Sequence, residues 1–365
     1  MKTRCAFFQI CLLLAGFTSF GLCQQQRQKI HAIYIPLADH YAAIVAYEKY
    51  RDEMKHADLK IERMKNWSLL RAFFLSGEPD LAFVMSPLAM DMFYESPNFR
   101  WVSLMHRDGN AMAINDLIKD KLTLPANRED RKPTKELANL LGQISRQQGR
   151  PIEVGVPHLQ ATHSVVMYKY LKDHGRTLAV GRGSSEDVVI VGVSPAKAPV
   201  YLRKKNNRGE PAAFEQSLPW ADVVETQKFG HVAWYSKDVI SWPNGHVECI
   251  GLAQDKTIAD KRAALKEVIY YIHRAGMDIE KARIEGGAAM KGIAEMVRKH
   301  IPEHNEEAIV QSLRVDLNVI NYRHLNIDKD GLKLIMDLAV EGGIIKHPID
   351  IEAFSNSDFA TDIAH

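Results

Sequence analysis

Past residue 23 the chain has a single cysteine. Of the four in 365 residues, Cys5, Cys11 and Cys23 fall in the first 23, and Cys249 stands alone beyond them. A lone thiol excludes an internal disulfide framework. Charge of either sign is also missing in excess: 47 Lys and Arg face 45 Asp and Glu, so nothing favours nucleic acid or an anionic membrane surface as a partner. Any counter-charge for a ligand must be local. No repeat at a solenoid period is present. The Gly-Ser stretch Gly181–Ser185 has no helix behind it of the phosphate-loop kind, and it reads as a turn. The segment beginning Asp328-Lys329-Asp330-Gly331 starts like a calcium loop but lacks the required later carboxylate.

What is present is the composition of a soluble globular protein, 46% hydrophobic and 25% charged, with length for two lobes of ordinary size. The first 23 residues are set apart. Lys2 and Arg4 precede an uncharged run from Cys5 to Cys23, followed by a polar glutamine run. That is the layout of a secretory signal peptide, so an exported protein is expected. Gly16, Thr18, Ser19 and Gly21 make the run a poor membrane span, and Phe20-Gly21-Leu22 is a poor lipidation signal ahead of Cys23.

After the leader, short apolar runs alternate with helical patterns, which predicts an α/β fold with a mainly parallel sheet. Strands are expected at 29–37, 58–64, 80–85 and 99–105, with helices at 41–54, 67–75 and from Ser86-Pro87 onward, Ser86 as the cap. A charged excursion covers 119–134. The pattern then resumes through an amphipathic helix at 134–150, strands at 151–157 and 187–193, and helices at 163–175 and 195–205. Helices dominate from about 255, the first expected over 258–276.

Polar groups recur at strand-to-helix junctions: Asp39-His40, Ser86, and Gln160-Ala161-Thr162-His163-Ser164. In open parallel sheets ligands bind beyond the carboxyl ends of the strands, where such junctions lie, and helix N-termini there favour anions. Each serine or threonine alone is more often a cap, but junctions of this kind in both halves suggest a cleft. His106, Asp108 and Asn110 surround Gly109, which suits a tight crossover or a close backbone approach. His246, Glu248 and Cys249 are all metal-binding residue types. If that segment is extended, however, His246 and Glu248 face one side while Val247 and Cys249 face the other. They then cannot converge on one ion without a bulge, so no metal is assigned. A catalytic thiol needs a base, which His40, His106, His163 or His246 could supply. A pocket wall asks least of the segment.

In the segments 34–50, 80–93, 102–114, 156–171 and 241–253 the chain resembles the substrate-binding proteins of ABC importers for nitrate, sulfonates and bicarbonate, a group related to thiamine-precursor binders. The resemblance implies a type II periplasmic-binding-protein fold: two α/β lobes with a hinge and a helical C-terminal section. Lobe 1 would comprise 24–108 with 250–365, and lobe 2 would comprise 109–249. The ligand would lie between them, against Asp39, His40, Ser86, His106, Gln160, Thr162, His163, Trp242, His246 and Cys249. Two departures from the nitrate-type pattern stand out. Cys249 occupies the place of an anion-binding lysine, and Leu218 that of a glutamate, with Trp220 and Trp242 adding flat apolar surface.

The implied function is an exported, non-enzymatic, periplasmic binding protein that passes a small, anionic solute to an ABC permease and its ATPase. It would be monomeric, without cofactor or metal, touching membrane only through a lipid anchor on Cys23. The alternatives are a thiamine-pyrimidine-precursor binding or synthesis protein of the same fold, or a sensor docking on a regulator.

Overall fold

The computed structural model describes residues 26–364, so the leader and its cysteines lie outside the described residues. The first four apolar runs form strands β1 (Gln28–Tyr34), β2 (Ala57–Arg63), β3 (Leu81–Met85) and β4 (Phe99–Leu104). Helices Tyr41–Tyr50, Trp67–Leu75 and Ser86–Glu95 connect them. β3 is buried along its whole length, as a central strand covered on both faces must be, and its sequence accordingly shows no polar alternation. Asn66 caps the second helix by accepting from the Leu69 amide. Ser86, expected as a cap, is instead the first helical residue, and Met85 takes the cap position.

The chain then passes through the short β5 (Arg107–Asp108) into a second sheet. Its strands are β6 (Asn110–Ile114), β7 (Ile152–Val156), β8 (Leu178–Val180), β9 (Val188–Gly192), β10 (Ala212–Ser217) and β11 (His231–Tyr235). A return segment leads to β12 (Cys249–Gln254), which inserts between β3 and β4. The first sheet therefore has the order β2-β1-β3-β12-β4 and the second β11-β6-β10-β7-β9-β8. Both are mainly parallel, as the alternation predicts, with one reversed strand in each. β12 runs antiparallel to both neighbours, and β6 antiparallel to β10 and β11. The reason lies in the connections: strands that carry the chain from one sheet to the other re-enter against the direction of the βαβ units. A fragment, β13 (Ile320–Asn321), pairs with β5.

The helix expected over 258–276 is two elements, Asp255–Asp260 and Arg262–Glu285. The second runs through Gly276, where a Cβ would stand 3.0 Å from the Tyr322 carbonyl oxygen. That glycine serves close packing and does not end the helix. Helix Lys329–Glu341 packs against both Ser86–Glu95 and Thr162–Asp173, so the C-terminal section touches elements that follow strands of both sheets. Asp328 caps it through the Gly331 amide, which is the actual task of the calcium-like sequence. No helix among the described residues is long and apolar enough to cross a membrane.

Candidate functional site

The carboxyl ends of β1, β3, β4 and β7 point toward one region, and β12 begins there, Cys249 pairing with Met85 at the end of β3. Each end delivers a polar side chain. Asp39 sits in the turn after β1, Ser86 after β3, His106 between β4 and β5, and Thr162 and His163 open the helix after β7. Glu215 and Ser217 come from β10, and Glu248 and Cys249 from the start of β12. All of them are fully buried. Such a concentration of ionisable groups without solvent is costly unless something pairs with it.

The contacts define a connected set. Ser217 Oγ donates to Asp39 Oδ2 at 2.9 Å, and His163 Nε2 lies 3.0 Å from the same hydroxyl. A hydroxyl has one proton, which Asp39 takes, so His163 carries its proton on Nε2 and leaves Nδ1 with a lone pair. That Nδ1 is 3.6 Å from Glu248 Oε1. His106 Nε2 lies 3.3 Å from Glu248 Oε2, an ion-pair contact without the alignment of a hydrogen bond, and 3.7 Å from Asp39 Oδ2, beyond hydrogen-bond reach. Cys249 Sγ donates to Asp39 Oδ2 at 3.6 Å. The Asn110 amide reaches Glu248 Oε1 at 3.5 Å. Asp39 Oδ1, both His106 nitrogens, Glu248 Oε2, Ser86 Oγ, Thr162 Oγ1 and both Glu215 oxygens have no hydrogen-bond partner among the described residues.

Burial and neighbouring charge divide the protons. Desolvation pushes Asp39 up to about 7, with Glu248 adding to the rise and His106 opposing it. Glu248 is desolvated as well, but His106 and His163 outweigh that and hold it down, so Glu248 ionises first of the two. Burial pulls His106 down, yet Asp39 and Glu248 more than offset it, and its pKa is raised. Desolvation keeps Glu215 and the Cys249 thiol protonated, both well above their ordinary values. No lysine or arginine side chain is among the principal charges acting on these five residues, and Arg107 bears on His106 only through its backbone.

Of the residues expected to line a site, Asp39, Ser86, His106, Thr162, His163 and Cys249 come together here. His40 is buried beside them, its Nδ1 2.7 Å from the Ile35 carbonyl and its ring against Trp67 and Phe83; desolvation lowers it to about 3, so it is neutral. His246 sits at the margin, bound to Ser236 and Asp108. Gln160 is elsewhere, in a surface cleft with Trp67 and His158. Trp242 is also outside the cluster, donating to Asp328 at 2.9 Å. Trp220 is engaged with the Pro36 carbonyl and His304.

The extended geometry assumed for residues 246–249 does not hold. Only Val247 bridges to Arg107, and β12 starts at Cys249, so Glu248 lies ahead of the strand and the alternation rule does not separate the two side chains. Glu248 and Cys249 therefore converge with Asp39 and His106, while His246 faces away toward Ser236. The sequence reading also missed Glu215 and Ser217. Both lie in a strand whose polar composition hid it, and the only signal was a glutamate two positions before a serine at a strand end.

In sequence, the profile of the NMT1-like family matches residues 24–291. No curated protein sequence matches the chain. Among solved structures, the zinc-bound ligand-binding component of an ABC-type import system from Staphylococcus aureus is similar at 18% identity. It covers 91% of this chain and 98% of its own, with a TM-score of 0.71. The periplasmic nitrate-binding protein of Synechocystis PCC 6803 is similar at 14% identity, 92% and 87% coverage, and a TM-score of 0.72. The alkanesulfonate-binding protein of Xanthomonas axonopodis pv. citri, bound to MOPS, follows at 10% identity, 87% and 95% coverage, and a TM-score of 0.62. The shared architecture is the periplasmic-binding-protein fold.

Proposed function

The chain belongs to the NMT1-like family, and from that membership we propose that it is an exported solute-binding protein serving an ABC permease and its ATPase. The observation that carries the reading is the buried set of polar atoms, contributed by both sheets, that lack hydrogen-bond partners among the described residues. Atoms of that kind cost on the order of 1–3 kcal/mol each unless a ligand completes them. Solute would enter with the lobes apart and select the closed arrangement by contacts made from both at once. The lobes would be 24–108 with 250–365, and 109–249, hinged at the crossovers beside β5 and before β12. No covalent step is needed.

The solute we infer differs from the anion that the family resemblance led one to expect. Asp39, Glu215 and Glu248 contribute carboxyls, Glu215 protonated and Glu248 ionised beside His106, and His163 turns a lone pair inward. A ligand that donates hydrogen bonds or carries positive charge complements these acceptors, whereas nitrate or a sulfonate would meet the Glu248 carboxylate.

The test is a thermal-shift panel on residues 24–365 with nitrate, bicarbonate, taurine, amino-pyrimidines and small cationic solutes, repeated in His163→Ala and Glu248→Gln. A saturable rise with a donor-bearing solute, lost in both variants, supports the reading. Tight nitrate or sulfonate binding unaffected by Glu248→Gln would sink the inferred ligand chemistry. If no solute shifts the melting temperature, the solute-binding reading fails.

A further inference from the structure

We propose that Asp39, His106, Glu248 and Cys249 form a binding site for a divalent transition ion of the zinc class. The inference deepens the solute-binding reading and rests on it, because it places a cation at the centre of the ligand site. One ligand atom from each of the four residues lies within 4.8 Å of the others, and all four are buried. A tetrahedral ion with bonds of about 2.0–2.3 Å requires ligand atoms about 3.3–3.8 Å apart. The separations here are 3.3 Å for His106 to Glu248, 3.7 Å for His106 to Asp39 and 3.6 Å for Cys249 to Asp39.

A second observation is independent of the spacing. Were this an ordinary buried ion pair, His106 and Glu248 would hydrogen-bond, but at 3.3 Å they are misaligned. Among the described residues, His106 Nε2 and Glu248 Oε2 have no hydrogen-bond partner. Misaligned donor atoms at ligand spacing are what atoms aimed at a shared centre produce, rather than atoms aimed at each other. The groups behind them are of the kind that orient metal ligands: Ser217 on Asp39 and Asn110 on Glu248.

The donor set also selects the ion. One sulfur and one imidazole nitrogen with two carboxylates suit zinc or cobalt(II), whereas calcium and magnesium take oxygen ligands in larger number. Binding replaces the thiol proton of Cys249, which passes to solvent as the thiolate joins the ion. Nothing is oxidised or reduced.

The experiment uses residues 24–365 freed of metal by chelator and titrated with zinc chloride and cobalt chloride under anaerobic, reducing conditions. We expect one equivalent of zinc to bind and raise the melting temperature, and cobalt to give a near-ultraviolet thiolate-to-metal absorption. Cys249→Ser should abolish that absorption. His106→Ala and Glu248→Gln should each weaken zinc at least tenfold, while His56→Ala, an exposed histidine, leaves it unchanged. Circular dichroism and melting establish that each variant is folded, and Glu248→Gln preserves side-chain shape should the others fail.

Zinc binding that none of the site variants weakens is an adventitious ion only, and overturns the inference. So does a folded, metal-free protein that takes up no zinc. An organic solute that raises the melting temperature in chelator, with no zinc effect, overturns the metal site and leaves the solute-binding reading standing. If neither zinc nor any solute binds, both fall together.

Discussion

Glu215 shows how a single buried group sets a pH response. Desolvation holds its carboxyl protonated in the folded chain, well above the ordinary value, while in the unfolded chain it ionises near 4.5. Above that pH the unfolded state has given up a proton the folded state keeps, so stability falls as pH rises, by up to about 1.4 kcal/mol per unit for this one group. Glu215→Gln removes the slope. Its melting temperature should exceed that of the parent by more at pH 8 than at pH 5; an equal difference at both would show Glu215 to be ionised. His304 acts at the other limb. It is buried against Trp220 with its Nδ1 2.8 Å from the Tyr41 hydroxyl, and desolvation lowers it to about 3. Its folded-state pKa is depressed, so the stability it supports is present above about 6.5 and is lost progressively as pH falls toward 3. Urea titrations of His304→Gln and parent should show a shallower decline for the variant between pH 6 and pH 4.

At the scale of elements, the crossover between the sheets depends on Gly109. Its φ of +102° and a Cβ that would stand 3.0 Å from His106 Nδ1 and 3.1 Å from Ile320 leave room only for glycine. Gly109→Ala should destabilise by on the order of 1–3 kcal/mol and push the His106 ring aside, weakening ligand more than tenfold. Unchanged binding in a folded Gly109→Ala protein would show that His106 takes no part. The sequence made much of this level readable. Period and turn residues located β1 to β4 and their helices to within a few residues, and the polar junctions at Asp39, Ser86 and His163 marked the site. What it did not reveal has physical causes. β10 carries Glu and Gln where a strand pattern calls for apolar residues, because those side chains are buried for a purpose other than packing. Gln160 and His163 are three residues apart, yet one ends in a loop and the other on the first turn of a helix, so neighbours in sequence face different cavities. Convergence of Glu248 with Cys249 depends on where pairing starts, which one chain's pattern does not state.

At the scale of the molecule, the two sheets are linked by more than their crossovers. Helix Lys329–Glu341 rests on a helix from each side. A protein held in this way should unfold in one transition, and Ile335→Ala, which empties a buried position of that helix, should lower the whole transition by about 2–5 kcal/mol. Calorimetry that resolved two separate transitions would contradict this. If the two sheets part in the hinge motion proposed above, the same tie limits it, so solution scattering should detect a modest compaction with ligand rather than a wide swing.

The solitary thiol has a consequence for measurement. Cys249 is fully buried in the arrangement described, and it is the only cysteine past residue 23. A thiol-reactive dye can therefore reach Cys249 only during excursions that expose this buried cluster, and its labelling rate becomes a clock for those excursions. Dividing that rate by the rate in denaturant gives the fraction of time spent ajar, on the assumption of rapid exchange. The site thus carries its own reporter, with no label to engineer.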